Sequence, residues 1–586
     1  MKRYLLTLLI LLVVSPAYSA TIHVPADRET IQEAIDITVD GDTVLIADGI
    51  YGGVGNVELD TQGKAITIMS ENGPDACFID CKDLTRAFLI ESDETRDTII
   101  RDITIQNGYE TTAAAIKITG NSSPSIINCH FENNYAEAYC GAVYIGVDAS
   151  ALIDTCTFHE NVASPGVHSA GAIFCSGNGV EIVNCEFSGN TAGWDGGAIK
   201  IQEGIDVQVS NCIFSENSST YGGALYIISM SGSVTALITN CTFTNHTTSD
   251  MGGAVQVDAE DADVTFESCH FVGNQTDIHG GAMQLNDFRK CTISNSSFSH
   301  NVSTGGGGGG GIDLSSNTGL VVTNTSFESN RASFGGAVLL TTDSQAEFVS
   351  CTFTGNSTTS LSNGHGGAIQ SNWSIVSITQ SSFLDNDACI GGGAIGLYSS
   401  ESTIESCTFT GNTARMYGGA VYCGDETSAV IGGSAENTNT FSGNASGSGS
   451  DIFSIEVPAT PITASFNTFE ACHGGGYPVW PSEAFDTTGC QFNLDPVIQD
   501  MYVSADGDDT NSGLTAAEPV KTVRRAMMHI QGQSGNPVTI HIATGTYSAS
   551  TNGEFYPLPM LNNVTIKGAG LDQTILDAED NSTLFM

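Results

Sequence analysis

The stretch CEFSGNTAGWDGGAIKIQEGIDVQVSNCIFSEN, residues 185–217, contains the two motifs that decide the fold. Phe187 and Asn190 form a Phe-x-x-Asn motif, and Phe214 and Asn217 repeat it. Between the two copies stands Gly-Gly-Ala-Ile, after which apolar and polar residues alternate. Alternation with a period of two indicates β-strands, and nothing in this stretch has the 3.6-residue period of a helix.

Both motifs recur along the chain. The Phe-x-x-Asn copies begin at Phe131, Phe158, Phe187, Phe214, Phe271, Phe298, Phe327, Phe353, Phe383, Phe409 and Phe441. The full Gly-Gly-Ala motif precedes Ile199, Leu225, Val255, Met283, Val338, Ile369, Ile395 and Val421. Phe243 keeps the phase but has His246 at the fourth position. The eleven steps from Phe131 to Phe441 cover 310 residues, so one repeat has about 28.

A fixed period with short strands and polar turns predicts an all-β fold, a right-handed parallel β-helix in which each coil buries its faces on its neighbours. A propeller or a sandwich is the alternative, but regularly placed hairpin turns are missing. Coils about 4.8 Å apart place identical residues over one another. We therefore expect stacked Phe rings in the core, Asn amide ladders at a bend and glycines at tight corners. Twelve coils would form a rod of about 58 Å.

The positions of the 17 cysteines argue against a disulfide framework. Eight of them fill one slot two residues before a Phe: Cys129, Cys156, Cys185, Cys212, Cys241, Cys269, Cys351 and Cys407. Ser296, Thr325 and Ser381 fill the same slot in other copies. A slot that accepts Cys, Ser or Thr needs a small buried side chain and not a bridge.

The charge balance excludes some partners. The 586 residues include 18 Lys and Arg against 65 Asp and Glu, and 18 − 65 gives a net charge of −47. So few cations cannot neutralise a phosphate backbone, which excludes nucleic acid, and they argue against docking on anionic lipid. No stretch after the N-terminal segment is long enough to span a membrane.

The chain is predicted to begin with a signal peptide over residues 1–19. Lys2 and Arg3 precede a short apolar run, and small residues at Ala17 and Ser19 fit a cleavage site after Ser19. We therefore expect the mature chain to be secreted or displayed on the cell surface.

A capping module occurs twice. Thr30 and Glu33 form a capping box that begins a short helix, which should plug the open end of the first coil. The same order of helix and strands returns from Thr522, displaced by 492 to 498 residues. We therefore predict these units: a cap over 20–90, repeats over about 100–445, an irregular end over 446–497, and the cap and first coil of a second, truncated β-helix over 498–586.

The combined motifs, over about residues 128–445, resemble the repeats of the polymorphic outer-membrane protein family. That resemblance implies a surface-exposed β-helical passenger with an adhesive role. The segment around Thr30 and Gly41–Val44 resembles the openings of pectin-lyase-like β-helix proteins. Tyr502–Gly513 and Pro519–Thr522 resemble the openings of related secreted β-helix and polysaccharide-lyase proteins. These resemblances imply a carbohydrate-active enzyme as the alternative function.

Catalytic and metal-binding motifs are sparse. Gly364-His365-Gly366 is the only one of the polygalacturonase-type motifs near the repeats, and it overlaps a Gly-Gly-Ala copy. A lone tripeptide in a glycine-rich repeat is best interpreted as chance. The loop Asp506–Gly513 has the composition of a calcium loop but lacks the distal Glu, which favours a solvated turn. No cofactor is therefore predicted, and calcium is the alternative that this loop leaves open.

One column of side chains, two positions after each Ala of the Gly-Gly-Ala motif, is the candidate ligand surface. It consists of Tyr144, Phe174, Lys200, Tyr226, Gln256, Gln284, Asp313, Gln370 and Tyr422, with Leu339 and Gly396 in the same column. Aromatic and amide groups along a flat β-face can stack on a sugar chain and bond to it. The alternative is an ordinary exposed β-face. The sequence thus predicts a non-catalytic β-helix that adheres to a polysaccharide or cell-surface ligand, with a polysaccharide lyase or glycoside hydrolase as the second hypothesis.

Overall fold

The chain, described from a computed structural model, winds into a parallel β-solenoid of about 18 turns with two short helices. The structure describes residues 19–166, 169–230, 232–316, 318–447, 451–455, 462–469, 479–480, 484–492, 497–509, 511–530, 535–554, 556, 558, 561, 563–579 and 584–585. All of the predicted signal peptide except Ser19 lies outside these residues.

Each coil crosses a sheet that carries the phenylalanines, here called the phenylalanine sheet. Its strands are Gly49–Tyr51, Cys77–Asp80, Thr104–Gln106, His130–Glu132, Thr157–His159, Glu186–Ser188, Ile213–Ser215, Thr242–Thr244, His270–Val272, Ser297–Ser299, Ser326–Glu328, Thr352–Thr354, Ser382–Leu384, Thr408–Thr410, Thr440–Ser442, Thr468–Phe469 and Gln491–Phe492. They pair in parallel with each Phe in register with the next, as Phe187 is with Phe214.

The strand after each Gly-Gly-Ala motif belongs to a second parallel sheet, the glycine sheet. Its strands are Leu59–Asp60, Phe88–Ile90, Ile116–Ile118, Val143–Ile145, Ile173–Cys175, Ile199–Gln202, Leu225–Ile228, Val255–Asp258, Met283–Asn286, Ile312–Ser315, Val338–Thr341, Ile369–Asn372, Ile395–Tyr398, Val421–Cys423, Ile452–Ser454 and Val479–Trp480. The first and third residues of a strand, such as Ile199 and Ile201, are fully buried in the core.

A third sheet closes each coil before the next Phe. Its strands are Thr21–Val24, Thr43–Ile46, Thr67–Ser70, Ile99–Arg101, Ser125–Ile127, Leu152–Asp154, Glu181–Val183, Val207–Ser210, Val234–Thr239, Ala262–Glu267, Lys290–Ser294, Thr318–Thr323, Gln345–Val349, Ile375–Thr379, Glu401–Glu405, Ser428–Ile431, Ile462–Thr463 and Phe485–Asp486. Since this sheet includes strands before and after the Phe-x-x-Asn copies, the solenoid is longer than the twelve coils expected from the motif.

Short strands that follow the Asn bend form a lateral sheet in two parts. The first part is Tyr109–Glu110, Tyr135–Ala136 and Val162–Ala163. The second is Ser218–Tyr221, Thr247–Met251, Gln275–Thr276, Val302–Ser303, Arg331–Ala332, Ser357–Thr358, Asp387–Ala388, Thr413–Ala414 and Ala445–Ser446. This sheet carries the chain from the Asn bend toward the next Gly-Gly-Ala turn.

The two predicted ladders are present. The Phe rings stack without interruption from Phe131 to Phe469, with neighbouring centroids 4.6 to 4.9 Å apart. Buried asparagines bond coil to coil, as where Asn301 Nδ2 donates to Asn330 Oδ1 at 2.9 Å. Every cysteine in the described part of the chain is free. The cysteines of the slot before each Phe are buried core side chains, and burial raises the pKa of Cys407, one of them, to about 12.

The duplicated cap is also present. Thr30 begins the helix Ile31–Ile37, its Oγ1 accepting from Glu33 N at 3.3 Å, and the helix buries its apolar face on the first coil. Thr522 begins the helix Val523–His529 in the same way. Around the second helix lie the strands Met501–Val503, Val538–Ile542, Gly545–Tyr547, Val564–Gly568 and Thr574–Leu576. A second β-helix therefore starts here, while the predicted unit boundaries and its truncation stay predictions.

Candidate functional site: a covered column on the glycine sheet

The predicted column runs up the outer side of the glycine sheet, and we call it the outer column. Its side chains lie in register from coil to coil, as Lys200 does with Tyr226 and Tyr226 with Gln256. They point away from the core because strand side chains alternate and their neighbours, such as Ile199, fill the core.

The expectation that this column is an exposed face is wrong. Of the nine proposed contact residues, Tyr144 alone is partly exposed. The others are at most 5% exposed, namely Phe174, Lys200, Tyr226, Gln256, Gln284, Asp313, Gln370 and Tyr422. Contact of these side chains with a glycan stays a prediction, and it would require the segment that covers them to move.

Glycine geometry explains the cover. Gly222 has φ +60°, a left-handed conformation that turns the incoming chain back over the sheet. A Cβ on Gly223 would lie 2.2 Å from the carbonyl oxygen of Gly253 in the next coil, so the second glycine is required for stacking. The residue before each Gly-Gly is thereby placed over the outer column. We call these residues the cover residues: Asp195, Tyr221, Met251, His279, Phe334, His365, Gly391 and Tyr417.

The best-buried contact between the cover and the outer column is an ion pair. Asp195 Oδ2 lies 2.7 Å from Lys200 Nζ, and both side chains are at most 2% exposed. The ammonium group also lies 5.3 Å from the ring centroid of Phe174 and 6.0 Å from that of Tyr226. The pair and the two π-faces together compensate for removing the lysine charge from water.

The same offset of five residues joins other cover residues to the column. Tyr417 and Tyr422 have ring centroids 6.1 Å apart, and Met251 Sδ accepts from Gln256 Nε2 at 3.9 Å. His279 instead reaches the next coil, where its Nδ1 lies 2.9 Å from Asp313 Oδ2. That hydrogen bond raises the pKa of His279.

His365, the histidine of the lone Gly-His-Gly, is one of these cover residues. It is 5% exposed, and its Nε2 lies 2.6 Å from the hydroxyl oxygen of Tyr398. Its ring packs on Tyr422 with centroids 4.6 Å apart. Because burial lowers its pKa to about 4, the imidazole is neutral at neutral pH. These contacts give His365 a packing role in the cover.

The loop Asp506–Gly513, which has the composition of a calcium loop, bonds to the start of the second helix. Asp509 Oδ1 accepts from the backbone N–H groups of Lys521 and Thr522 at 2.7 and 2.9 Å, which caps the second helix. Among the described residues, no three His, Cys, Asp or Glu side chains cluster as metal ligands. The prediction of no cofactor, with calcium as the alternative, is not tested by this structure. In the same part of the chain, no helix is both long and apolar enough to cross a membrane.

Sequence reasoning missed the cover residues, although a signal was available. Several Gly-Gly copies are preceded by a residue that contacts the one five positions later, as Asp195 contacts Lys200 and Tyr417 contacts Tyr422. Two aromatic side chains next to the cover residues are exposed. Trp194 is 39% exposed and packs on Tyr221 with centroids 6.0 Å apart, and Tyr139 is 47% exposed and packs edge-on against Phe174.

Family comparisons agree with this architecture. The family described as right handed beta helix region matches residues 88–276 and 171–353. The Chlamydia polymorphic membrane protein repeat matches residues 350–372 and 406–424. A protein family of unknown function, DUF1565, matches residues 505–579. The chain is thus a right-handed parallel β-helix protein, and its coils carry polymorphic-membrane-protein-type repeats.

Individual relatives are remote. The metabotropic glutamate receptor-like protein R of Dictyostelium discoideum is 37% identical over 97 residues, which span 17% of this chain and 6% of that protein. The catalytic domain of a GH87 alpha-1,3-glucanase in complex with tetrasaccharides has 12% identity and a TM-score of 0.35, covering 63% of this chain and 65% of its own. A bacteriophage CBA120 tailspike protein has 12% identity and a TM-score of 0.33, covering 78% and 58%. Likenesses of this size carry no argument about function.

Proposed function

We propose that the chain is a secreted, surface-exposed β-helix that binds a polysaccharide or another cell-surface ligand through exposed aromatic side chains next to its cover residues. The observation that carries this proposal is the exposure of Trp194 and Tyr139, each packed on another aromatic ring, Trp194 on the half-buried Tyr221 and Tyr139 on the buried Phe174. Aromatic rings fixed in place present an apolar platform to a sugar ring at little cost in side-chain entropy.

The spacing of the two rings suits an extended chain ligand. Tyr139 and Trp194 belong to coils that are two steps apart, because the coil of Ser169 lies between them. At about 4.8 Å per coil this separates them by about 9.6 Å along the axis. That distance is comparable to two linked pyranose rings, so one chain could contact both platforms.

The binding test uses the purified chain on a glycan array and on immobilised polysaccharides. Replacing both rings, Tyr139→Ala with Trp194→Ala, should weaken binding at least tenfold. Trp373→Ala is the matched control, since Trp373 is 64% exposed but lies at a turn after the glycine sheet. Unchanged affinity in the double variant, or no glycan binding by the parent chain, would contradict the proposal.

Secretion and display are parts of the same proposal, supported by the repeat family's description as a membrane protein. Mass spectrometry of the mature N-terminus should find cleavage after Ser19, and antibody should label intact cells. Release of reducing or unsaturated ends from polysaccharides by the purified chain would favour the carbohydrate-active enzyme instead.

A further inference from the structure

The asparagine ladder is broken at one coil. Where other coils have Asn, the coil of Phe243 has His246, which is fully buried. The side-chain nitrogen of Asn190, Nδ2, donates to Asn217 Oδ1 at 2.9 Å. The next coil has His246 and therefore no amide oxygen at this position. Asn217 Nδ2 donates to Phe187 O. The backbone N–H of Asn217 instead donates to His246 Nδ1 at 3.0 Å.

The lateral strand that follows His246 is displaced. Thr247 N donates to Asn217 O at 3.5 Å, whereas Ser218 N donates to Asn190 O at 3.0 Å in the preceding coil. Thr247–Met251 also has one residue more than Ser218–Tyr221, and the register shifts beside Ser219. An extra residue in one of two paired strands is a β-bulge, and bulges concentrate near binding sites because they redirect side chains.

A groove of about 360 Å³ opens at this irregularity. Its lining is mostly polar and, apart from Asp277, uncharged: Ala192, Ser218, Ser219, Thr247, Thr248, Ser249, Gln275 and Asp277. A groove of this size fits a single sugar ring, and its walls offer hydroxyl and amide groups on several sides.

One hydroxyl beneath the groove wall is buried without a partner. Thr248 is 6% exposed, and its Oγ1 has no hydrogen-bond partner within the described chain. Residues in register with it are satisfied: Thr276 Oγ1 donates to Asp250 O at 2.7 Å, and Ser303 Oγ donates to Ile278 O at 2.7 Å. A buried hydroxyl left unpaired loses its solvation without compensation, so a ligand hydroxyl that reaches and pairs with it would recover that free energy.

We propose that this groove, defined by Ser218, Thr247, Thr248, Ser249, Gln275 and Asp277, binds one residue of a neutral saccharide. The inference rests on the proposed function, to which it adds a site and a ligand class. No lysine or arginine lines the groove, and the nearby carboxylate of Asp277 on an acidic protein repels anionic sugars. A ligand with many hydroxyls and no charge matches the lining.

The test titrates the full chain by calorimetry with maltohexaose, cellohexaose, mannohexaose and oligogalacturonate. Thr248→Val keeps the shape and removes the hydroxyl, while His246→Asn restores the ladder and should close the groove. Both should weaken binding of a neutral hexasaccharide at least tenfold, and His246→Asn should also raise the unfolding midpoint. Lost affinity in a more stable protein cannot be explained by unfolding.

Thr358→Val is the matched control, because Thr358 occupies the same lateral position in a regular coil and accepts from Cys389 N at 2.9 Å. It should lower stability and leave binding unchanged. If the variants at Trp194 and Tyr139 abolish binding while both groove variants bind normally, the groove is overturned and the proposed function stands. Tighter binding of oligogalacturonate overturns the ligand class, and binding of none of the four probes overturns the groove.

Discussion

Asn330 shows how one side chain connects neighbouring coils. Its Nδ2 donates to Asn356 Oδ1 at 3.0 Å and to Phe298 O at 2.9 Å. Its Oδ1 accepts from both nitrogens of Asn301. Because all of these groups are buried, every bond forms away from water, and each partner left unpaired loses its full solvation.

Asn330→Ala should therefore lower the free energy of unfolding by about 3 kcal/mol, since it orphans buried groups on two neighbouring coils. Urea unfolding followed by circular dichroism measures this. Asn363→Ala, at an exposed turn, should change stability by less than about 0.5 kcal/mol. Equal effects of the two substitutions would show that the ladder does not stabilise the solenoid.

The buried ion pair gives a second prediction at this scale. Asp195→Ala leaves the ammonium of Lys200 buried and unpaired, which should cost about 3–5 kcal/mol. Combining it with Lys200→Met should recover most of that loss, because Met packs between Phe174 and Tyr226 without a charge. Urea midpoints of the single and the double variant measure the loss and its recovery. Arg289→Ala is the control: it breaks an exposed pair with Asp263 and should cost under 1 kcal/mol.

His246 should make the fold sensitive to acid. Burial lowers its pKa to about 3, below the ordinary value of 6.5. A lowered folded pKa means that its stability contribution is complete above pH 6.5 and is lost as pH falls toward 3. Between pH 7.5 and 4.5 the parent chain should lose about 2.5 kcal/mol more than His246→Asn. Parallel losses in urea melts at the two pH values would contradict this.

At the scale of the coil, the Gly-Gly turn decides which face is exposed. The first glycine turns the chain back, and the second lets adjacent coils approach within contact distance, as at Gly222 and Gly223. The strand after the turn then has one side in the core and the other beneath the cover. A β-face that alternation alone would leave in solvent is thereby buried on both sides.

Gly223→Ala should destabilise the solenoid by about 3 kcal/mol, because its Cβ would lie 2.2 Å from Gly253 O and 2.9 Å from His246 Cβ. Gly306→Ala, where a Cβ meets nothing within 4 Å, is the comparison and should be nearly neutral. Thermal melts of both proteins measure the difference. A stable Gly223→Ala protein would mean that the coils can separate at this turn.

For the whole molecule, the described residues contain two large separate hydrophobic cores. One runs from Ile22 to Phe485 through the solenoid, and the other, from Met501 to Leu558, belongs to the second cap. Each has its own helix and its own sheet strands. Units that do not share a core can unfold separately.

Calorimetry of the chain should accordingly show two transitions. Ile35→Ala, in the first core, should lower the midpoint of one, and Ile540→Ala, in the second, should lower the midpoint of the other. Each substitution should cost about 2–5 kcal/mol in its own unit. A single transition that both substitutions shift equally would show that the units unfold together.

The sequence by itself determined the solenoid and its Phe and Asn ladders, through the repeat motifs, and the duplicated cap, through the capping box and the order of elements that returns from Thr522. A solenoid converts sequence period directly into spatial register, so residues at one repeat position, such as Phe187 and Phe214, must stack. The capping box at Thr30 is equally local, because its bonds join residues three apart. Features set by short-range or strictly periodic rules can be inferred from the chain alone.

The tertiary structure alone decided what covers the outer column and where the lateral sheet opens. The segment between Asn190 and Gly196 has no period that fixes its path, which follows from a left-handed glycine and from packing on Lys200. The groove lies beside the strand Thr247–Met251, which follows His246 and pairs with the preceding coil through a register shift. The cover and the groove both arise from contacts between segments that the sequence pattern does not bring together.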